Sequence, residues 1–247
     1  MTKIQTIGVM GYANCSEQDT ITALEILRGA AMVLEGKIAP MVRDEQSAET
    51  LDVKLVTLKP GNVTMQMGTQ VVPDAMMTDT DLFDLLYVPG GVGSGAMSLD
   101  PQMLDAVRRH YNGGKIIASN CSGVGILARA GILGKNPVTC VAAIAPGLRA
   151  EGINVPEPRR MWLGLPEARI WTTTGSYGVN GSTVALISHY FGHEVGTVVS
   201  MMFDTLGGIG QSVFELEGPE FYYHPELEAK FAAYFKPTLL PDIGSKK

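Results

Sequence analysis

The sequence predicts an α/β protein with a doubly wound, mostly parallel sheet sandwiched between helices. Strand-like apolar runs alternate with segments that carry apolar residues at helical spacing along most of the 247 residues. Such alternation is typical of a parallel sheet covered by helices on both faces. Several of the strand-like runs end directly in glycine or small polar residues. In sheets of this kind, ligands bind outside the carboxyl ends of the strands.

The predicted elements follow one another regularly from the N-terminus. Strands are predicted in IQTIGVMGY (4–12), LDVKLVTL (51–58), LFDLLYVPGG (82–91), KIIASNC (115–121) and ARIWTTTG (168–175). Helices are predicted over 16–34, 100–114 (with Pro101 in its first turn), 122–134, 182–191 and 194–205. The stretch NVTMQMGTQVVPD (62–74) indicates a hairpin with Gly68 at its turn.

Two stretches depart from the alternation. Residues 35–50 are polar and turn-rich, which indicates a surface loop or an extension of the first helix. Beyond about residue 210 the chain carries a C-terminal extension, with one short amphipathic helix predicted from about Pro225 to Phe235. No repeat or linker divides the sequence, so we predict a single domain over 1–247 with this extension.

Composition and charge narrow the classes of function. The 19 basic and 25 acidic residues give a net charge of −6, whereas binding to a nucleic-acid backbone needs clustered Lys and Arg. The three cysteines show no CxxC spacing, which argues against a disulfide framework or a zinc site. The N-terminus is too short and too polar for a signal peptide, and no apolar run approaches the roughly 20 residues that span a bilayer. We expect a cytoplasmic protein with no membrane or nucleic-acid partner.

Cys121 is the candidate for chemistry, because it stands where the fourth predicted strand ends and a helix begins. A thiol at a helix N-terminus meets the positive end of the helix dipole, which lowers its pKa and favours the thiolate. The loops that follow the first and third strands should lie beside it. They bring Asp19, which could shuttle a proton, and the Gly90-Gly91 pair, whose N–H groups could stabilise a developing anion.

Each of these features also has a structural interpretation. A buried cysteine is often only a small apolar residue, and Ser16 with Asp19 fits the capping box of a helix start. The run GVGSGA (91–96) loosely matches a dinucleotide fingerprint, but no acid follows at the end of the next strand. The remaining candidates are three histidines without convergent spacing and two further thiols: His110, His189, His193, Cys15 and Cys140.

The segments VPGGVGSGAMSLDPQML, ASNCSGVGILARAGILGK and TTTGSYGVNGSTVALISHYFG resemble the flavodoxin-like DJ-1/PfpI superfamily, and within it the isonitrile hydratase branch most. The resemblance covers roughly residues 4–204. It implies that Cys121 is the reactive residue, that Asp19 contacts its sulfur and that Gly91 supplies an oxyanion-type N–H. Ser122 stands where the hydratase branch uses a threonine, and keeps the hydroxyl. The resemblance also implies a homodimer, and the chemistry needs no metal or organic cofactor.

The chain also departs from its relatives. Protease-like and amidase-like members carry a histidine directly after the cysteine, and Ser122 argues against their chemistry here. The hydratase branch usually has Gly-Pro where this chain has Thr22-Ala23. It often has Thr-His-Trp where this chain has Thr139-Cys140-Val141. That second difference removes an aromatic wall and a polar ring from the expected pocket.

The leading hypothesis is a cysteine-dependent lyase that adds water to a small-molecule isonitrile to give an N-substituted formamide. The alternatives are a glyoxalase- or deglycase-like enzyme, and a redox- or ligand-sensing protein whose Cys121 is oxidised. Three structural predictions follow from the hypothesis. Cys121 should have strained backbone angles, Asp19 should hydrogen-bond its sulfur with a raised pKa, and a homodimer interface should lie near the site. The dimer is also suggested by apolar residues spread widely around the first helix: Ile21, Leu24, Ile26, Leu27, Met32 and Val33.

Overall fold

A seven-stranded sheet forms the centre of the computed structural model, which describes residues 3–38, 49–204, 214–220 and 225–242. The strands are β1 (Thr6–Met10), β2 (Asp52–Thr57), β3 (Val63–Thr64), β4 (Gln70–Val71), β5 (Ala75–Met76), β6 (Leu85–Val88), β7 (Ile116–Asn120), β8 (Trp162–Leu165) and β9 (Ile170–Thr173). The sheet order is β5-β2-β1-β6-β7-β9-β8, with β3 and β4 in a separate hairpin. Every pair in the main sheet is parallel except β8 with β9. The predicted doubly wound, mostly parallel sheet is therefore confirmed.

Helices cover both faces of this sheet. They are α1 (Glu17–Leu34), α2 (Ser94–Met97), α3 (Pro101–Asn112), α4 (Gly123–Ala130), α5 (Ala145–Ala150), α6 (Tyr177–Phe191), α7 (His193–Met202) and α8 (Pro225–Leu239). Helices α1, α6 and α7 contact one another on one face, while α2, α3, α4, α5 and α8 are linked by contacts on the other. Neighbouring strand residues alternate between the two faces: Leu85 and Ile116 belong to one buried cluster, Leu86 and Ile117 to the other.

Most of the predicted elements are present. The five predicted strands form, the hairpin turns at Gly68 with a φ of 94°, and the first helix begins directly after its N-cap Ser16. Helix α6 begins at Tyr177 rather than at 182, because its glycines, which weaken a helical pattern in sequence, allow close packing against the strand ends.

Among the described residues, the short elements α2, α5, β5 and β8 were not predicted from the sequence. Each spans two to six residues, too few for a periodic pattern to emerge. In the tail, α8 continues to Leu239, beyond the predicted end at Phe235. Most of the predicted surface loop over 35–50 and the predicted start of the extension near 210 lie outside the described residues. Within the described ranges no helix is long and apolar enough to cross a membrane.

Candidate active site

The three loops singled out in the sequence meet at the carboxyl edge of the sheet. They follow β1, β6 and β7, which are neighbours in the strand order. The Ser16 N–H donates to the Gly90 carbonyl oxygen at 2.9 Å, and the Gly91 N–H donates to Ser122 Oγ at 3.0 Å. These two bonds join the start of α1, the glycine turn and the cysteine loop, as the parallel topology predicted.

Cys121 occupies a strained turn between β7 and α4. Its φ of 52° places it in the left-handed region, which costs a non-glycine residue on the order of 1–3 kcal/mol. The strain is held from both sides, because the Cys121 N–H donates to the Thr173 carbonyl at 3.0 Å and its own carbonyl accepts the Val141 N–H at 3.4 Å. The prediction of unusual backbone angles is confirmed, and the turn has the form of a nucleophile elbow.

The Gly90-Gly91 turn packs closely against the loop that follows β1. Gly91 has a φ of 124°, and a Cβ there would lie 2.7 Å from the Asn14 carbonyl oxygen, so a larger residue would push the two loops apart. The N–H groups of the pair are already bonded: that of Gly90 donates to Asn120 Oδ1 at 2.8 Å, and that of Gly91 to Ser122. The expectation that they face an open anion site is therefore wrong for this structure.

Asp19 lies in the first turn of α1 and is buried, with only 1% of its surface exposed. Its Oδ1 accepts the Ser176 N–H at 2.9 Å, and the neighbouring Cys121 thiol also favours its ionised form. Burial raises the pKa of Asp19, against the opposing effect of these contacts. The predicted direction of the shift is confirmed, and the hydrogen bond from the Cys121 thiol to this carboxyl stays a prediction. Ser16 caps the helix by accepting the Asp19 N–H, so Asp19 combines a place in the helix start with a position beside the sulfur.

The thiol itself differs from the sequence-based expectation. Burial, followed by the negative charge of Asp19, raises the pKa of Cys121 well above its usual value. The N–H and hydroxyl of Ser122 favour the thiolate but do not outweigh these effects. The prediction of a low-pKa thiolate is therefore wrong, because the dipole argument left out burial and the neighbouring carboxylate. Burial and the Asp19 carboxylate therefore favour the protonated thiol.

Three residues outside the sequence-based candidates, Asn120, Tyr12 and Ser176, form hydrogen bonds around this pair. Asn120, fully buried, donates through Nδ2 to the Asp19 carbonyl at 2.8 Å and to Tyr87 Oη at 3.1 Å. The Tyr12 hydroxyl donates to the Pro89 carbonyl at 2.5 Å. Asn120 directly precedes Cys121, and a polar side chain at the end of an apolar strand could have identified it as a site residue. Nothing in the sequence around Ser176 indicates its contact with Asp19.

The other candidate residues lie elsewhere. All three cysteines are free, and Cys15 and Cys140 are buried in the same core cluster. His110 accepts the Phe83 N–H, His189 packs against Tyr190 and His193 against Phe214. The GVGSGA run forms a turn and the four-residue α2. No group of three or more metal-binding side chains occurs among the described residues.

Gly175 offers a direct test of the space beside the sulfur. A Cβ at this position would lie 3.3 Å from Cys121 Sγ. We expect Gly175→Ala to slow the alkylation of Cys121 by iodoacetamide by about tenfold, because the methyl group shields the sulfur. Gly125→Ala is the control, since its Cβ would have the same 3.3 Å clearance but from Leu240. Equal rates in the two variants, measured by peptide mass spectrometry, would show that Gly175 does not border the reactive face.

The fold and this geometry define a class of protein, an α/β protein that presents a cysteine on a strand-to-helix elbow beside a buried acid. The chain belongs to the DJ-1/PfpI family, whose family model matches residues 16–168. It is 36% identical to an isonitrile hydratase from Pseudomonas putida over 78 residues, which are 31% of this chain and 34% of that protein. It is 30% identical to Protein dj-1beta from Drosophila melanogaster over 131 residues, 51% of this chain and 68% of that protein.

Solved structures agree at the level of the fold. A ThiJ/PfpI family protein from Pseudomonas syringae aligns with a TM-score of 0.69 at 16% identity, covering 97% of this chain and 88% of that one. Drosophila melanogaster DJ-1beta aligns with a TM-score of 0.67 at 20% identity, covering 81% of this chain and 97% of that one. The superfamily assignment made from the sequence is confirmed. The match to the isonitrile hydratase spans about a third of that protein's length.

Proposed function

We propose that this protein is a cysteine-dependent small-molecule lyase that hydrates an isonitrile to an N-substituted formamide. The observation that carries the proposal is the Cys121 thiol, strained on its elbow, beside the buried carboxyl of Asp19, whose pKa is raised. Such a pair supplies a nucleophile and an acid–base group without a metal or an organic cofactor. The identity to the Pseudomonas putida isonitrile hydratase supports this choice of substrate.

The first step uses the proton that the pair shares. Asp19 accepts the proton of the Cys121 thiol while the sulfur attacks the terminal carbon of the isonitrile, forming an S–C bond. Asp19 then returns the proton to the same carbon. The product is a thioimidate, R–N=CH–S–Cys121, in which the whole isonitrile has been added across the S–H bond. A raised pKa suits both transfers, because it makes the Asp19 carboxylate a stronger base than an exposed one, so that it can accept a proton and then return it.

The second step consumes water. Asp19 takes a proton from a water molecule while the water oxygen attacks the thioimidate carbon. Asp19 then passes that proton to the thioimidate nitrogen. The S–C bond then breaks, the sulfur recovers a proton from the new hydroxyl group, and the formamide leaves. Ser122, whose hydroxyl faces both the sulfur and Gly91, positions the elbow for both steps. Gly91 contributes indirectly, because its N–H bond to Ser122 Oγ holds the glycine turn against the cysteine loop.

The alternative functions differ in what they require. Oxidative sensing favours a thiol with a low pKa and good exposure, whereas burial raises the pKa of Cys121. Proteolytic and amidase members of the family carry a histidine after the cysteine, and His110, His189 and His193 all pack elsewhere. Glyoxalase-like activity is the remaining enzymatic alternative, and a comparison of substrates distinguishes it from isonitrile hydration.

The test is to incubate the purified protein with cyclohexyl isocyanide and to follow N-cyclohexylformamide by NMR. We expect formamide to appear in proportion to protein concentration. Methylglyoxal, assayed by lactate formation, serves as the second substrate. Lactate without formamide would replace the proposal by the glyoxalase-like alternative.

We further propose that the protein is a homodimer whose interface lies on α1, close to the site. A groove of about 500 Å³ runs between α1 and α7 and is lined by Ile21, Leu24, Glu25, Arg28, Gly29, Met32, Met202 and Phe203. Met32 and Met202 are 41% and 37% exposed, and Ile21 follows Asp19 on the same helix. An apolar groove of this kind marks an interaction surface.

Charges placed in this groove test the dimer. We expect Met32→Asp combined with Met202→Asp to weaken the dimer at least about tenfold, because each carboxylate would have to be buried. Leu99→Asp is the control, since Leu99 is comparably exposed at 48% but lies outside the groove. Sedimentation equilibrium at micromolar concentration measures the mass. A single-chain mass for the unmodified protein would refute the dimer.

A further inference from the structure

Four charged side chains form a group where the C-terminal helix α8 meets the rest of the protein, away from the Cys121 pair. Arg159 and Glu228 have side chains only 5% and 6% exposed, with Arg159 Nε 3.6 Å from Glu228 Oε2. Arg149 Nη1 lies 3.1 Å from Glu228 Oε1 and also pairs with Glu157. Buried ion pairs contribute little net stability compared with apolar residues. This group therefore invites an explanation other than stability.

Arg159 links the helix to the wall of the site. Its Nη1 donates to the Cys140 carbonyl oxygen at 2.6 Å. The next residue, Val141, donates its N–H to the Cys121 carbonyl at 3.4 Å. The Val141 side chain also borders the space beside the sulfur, because a Cβ on Gly175 would lie 3.9 Å from Val141 Cγ2 and 3.3 Å from Cys121 Sγ. A continuous chain of contacts thus runs from Glu228 to Cys121.

The segment that Arg159 holds has little structure of its own. Residues 137–141 belong to neither a helix nor a strand. Apart from the Arg159 bond, Thr139 fixes the segment through its N–H to Thr172 Oγ1 at 3.0 Å and its hydroxyl to the Arg160 carbonyl at 2.6 Å. Only two backbone N–H groups of the segment are seen to bond to backbone carbonyls outside it, that of Val138 to the Asn154 carbonyl at 2.9 Å and that of Val141 to the Cys121 carbonyl at 3.4 Å. The position of this wall therefore also depends on side chains such as Arg159.

We propose that Glu228 and Arg159 are positioning residues, through which α8 holds the wall at Cys140 and Val141 against Cys121 and limits access to its sulfur. Glu228 keeps the Arg159 guanidinium buried and aimed at the Cys140 carbonyl. Without that carboxylate, Arg159 turns toward water to recover its hydration, and the wall loosens. The proposal concerns the accessibility of the thiol and does not rest on the isonitrile as substrate.

Alkylation by iodoacetamide, resolved for each cysteine by peptide mass spectrometry, tests the proposal. We expect Glu228→Gln to raise the rate at Cys121 about threefold or more through local opening of the wall. The factor should be the same at neutral and at mildly alkaline pH, because access changes rather than thiol ionisation. Glu226→Gln is the matched control, an exposed glutamate on the same turn of α8, and should leave the rate unchanged.

Two further measurements separate positioning from general destabilisation. Cys15 is buried on another loop, so its alkylation rate reports global opening and should stay low in Glu228→Gln. Arg159→Lys keeps the charge beside Glu228 but is too short to make the same bond to Cys140. It should raise the Cys121 rate even if Glu228→Gln fails to fold. A Cys121 rate that stays the same or falls in the folded variants, or a parallel rise at Cys15, would overturn the proposal.

Discussion

Replacing Cys121 by alanine is expected to abolish the formation of N-cyclohexylformamide, lowering its rate by about three orders of magnitude or more. The variant lacks the sulfur that forms the covalent bond, and the alanine methyl group cannot replace it. Cys121→Ser is expected to be almost as inactive, because an alcohol is much harder to ionise than a thiol. Gas chromatography of the reaction mixture measures the product directly.

Cys15→Ala is the control for this experiment. Cys15 is buried and free and has no role in the proposed reaction. The Cys15→Ala variant should therefore form formamide at a rate within about twofold of that of the unmodified protein. If Cys121→Ala kept the rate of the unmodified protein, the thiol would take no part in the chemistry. The elbow would then serve only the fold.

Replacing Asp19 by asparagine is expected to inactivate the protein while making it more stable at neutral pH. The loss of activity should be about 10²- to 10⁴-fold, the usual contribution of a positioned acid–base group. The gain in stability follows from the raised pKa of Asp19. A carboxyl group whose folded pKa exceeds its unfolded value stabilises the fold below the unfolded pKa, and that contribution is lost as the pH rises through the folded pKa.

At pH 7 the ionised Asp19 therefore costs stability, and a neutral asparagine avoids this cost while its Oδ1 can still accept the Ser176 N–H. We expect the melting temperature of Asp19→Asn to rise by about 2–4 °C at pH 7, with the difference shrinking as the pH falls below the folded pKa. Asp105→Asn, at an exposed carboxylate on α3, should change neither activity nor this pH dependence. An Asp19→Asn protein that melts lower than the unmodified one at pH 7 would contradict the burial argument.

The positions of Cys121 and Asp19 could be predicted because each depends on local pattern and topology. A cysteine between an apolar strand and a helix, and an acid in the first turn of another helix, can meet because β1 and β7 flank the same strand, β6, and all three end at one edge of the parallel sheet. The charge state of the thiol could not be predicted in this way. It depends on burial and on the Asp19 carboxylate together, and both are properties of the assembled site.

Contacts between residues far apart in the sequence could not be predicted either. Ser176 donates to Asp19 over 157 residues, and Arg159 pairs with Glu228 of α8, a contact that likewise joins distant parts of the sequence. The short strand β8 escaped detection for a different reason, because its four residues are too few for a periodic pattern.

The covalent state of Cys121 during turnover tests the central claim most directly. Protein mixed with cyclohexyl isocyanide and quenched with acid within the first turnover should carry the mass of one isonitrile molecule on the Cys121 peptide. That mass should decay as formamide accumulates, and the Cys15 and Cys140 peptides should stay unmodified. Formamide that accumulates while the Cys121 peptide remains unmodified at every time point would contradict the proposed attack by the thiol.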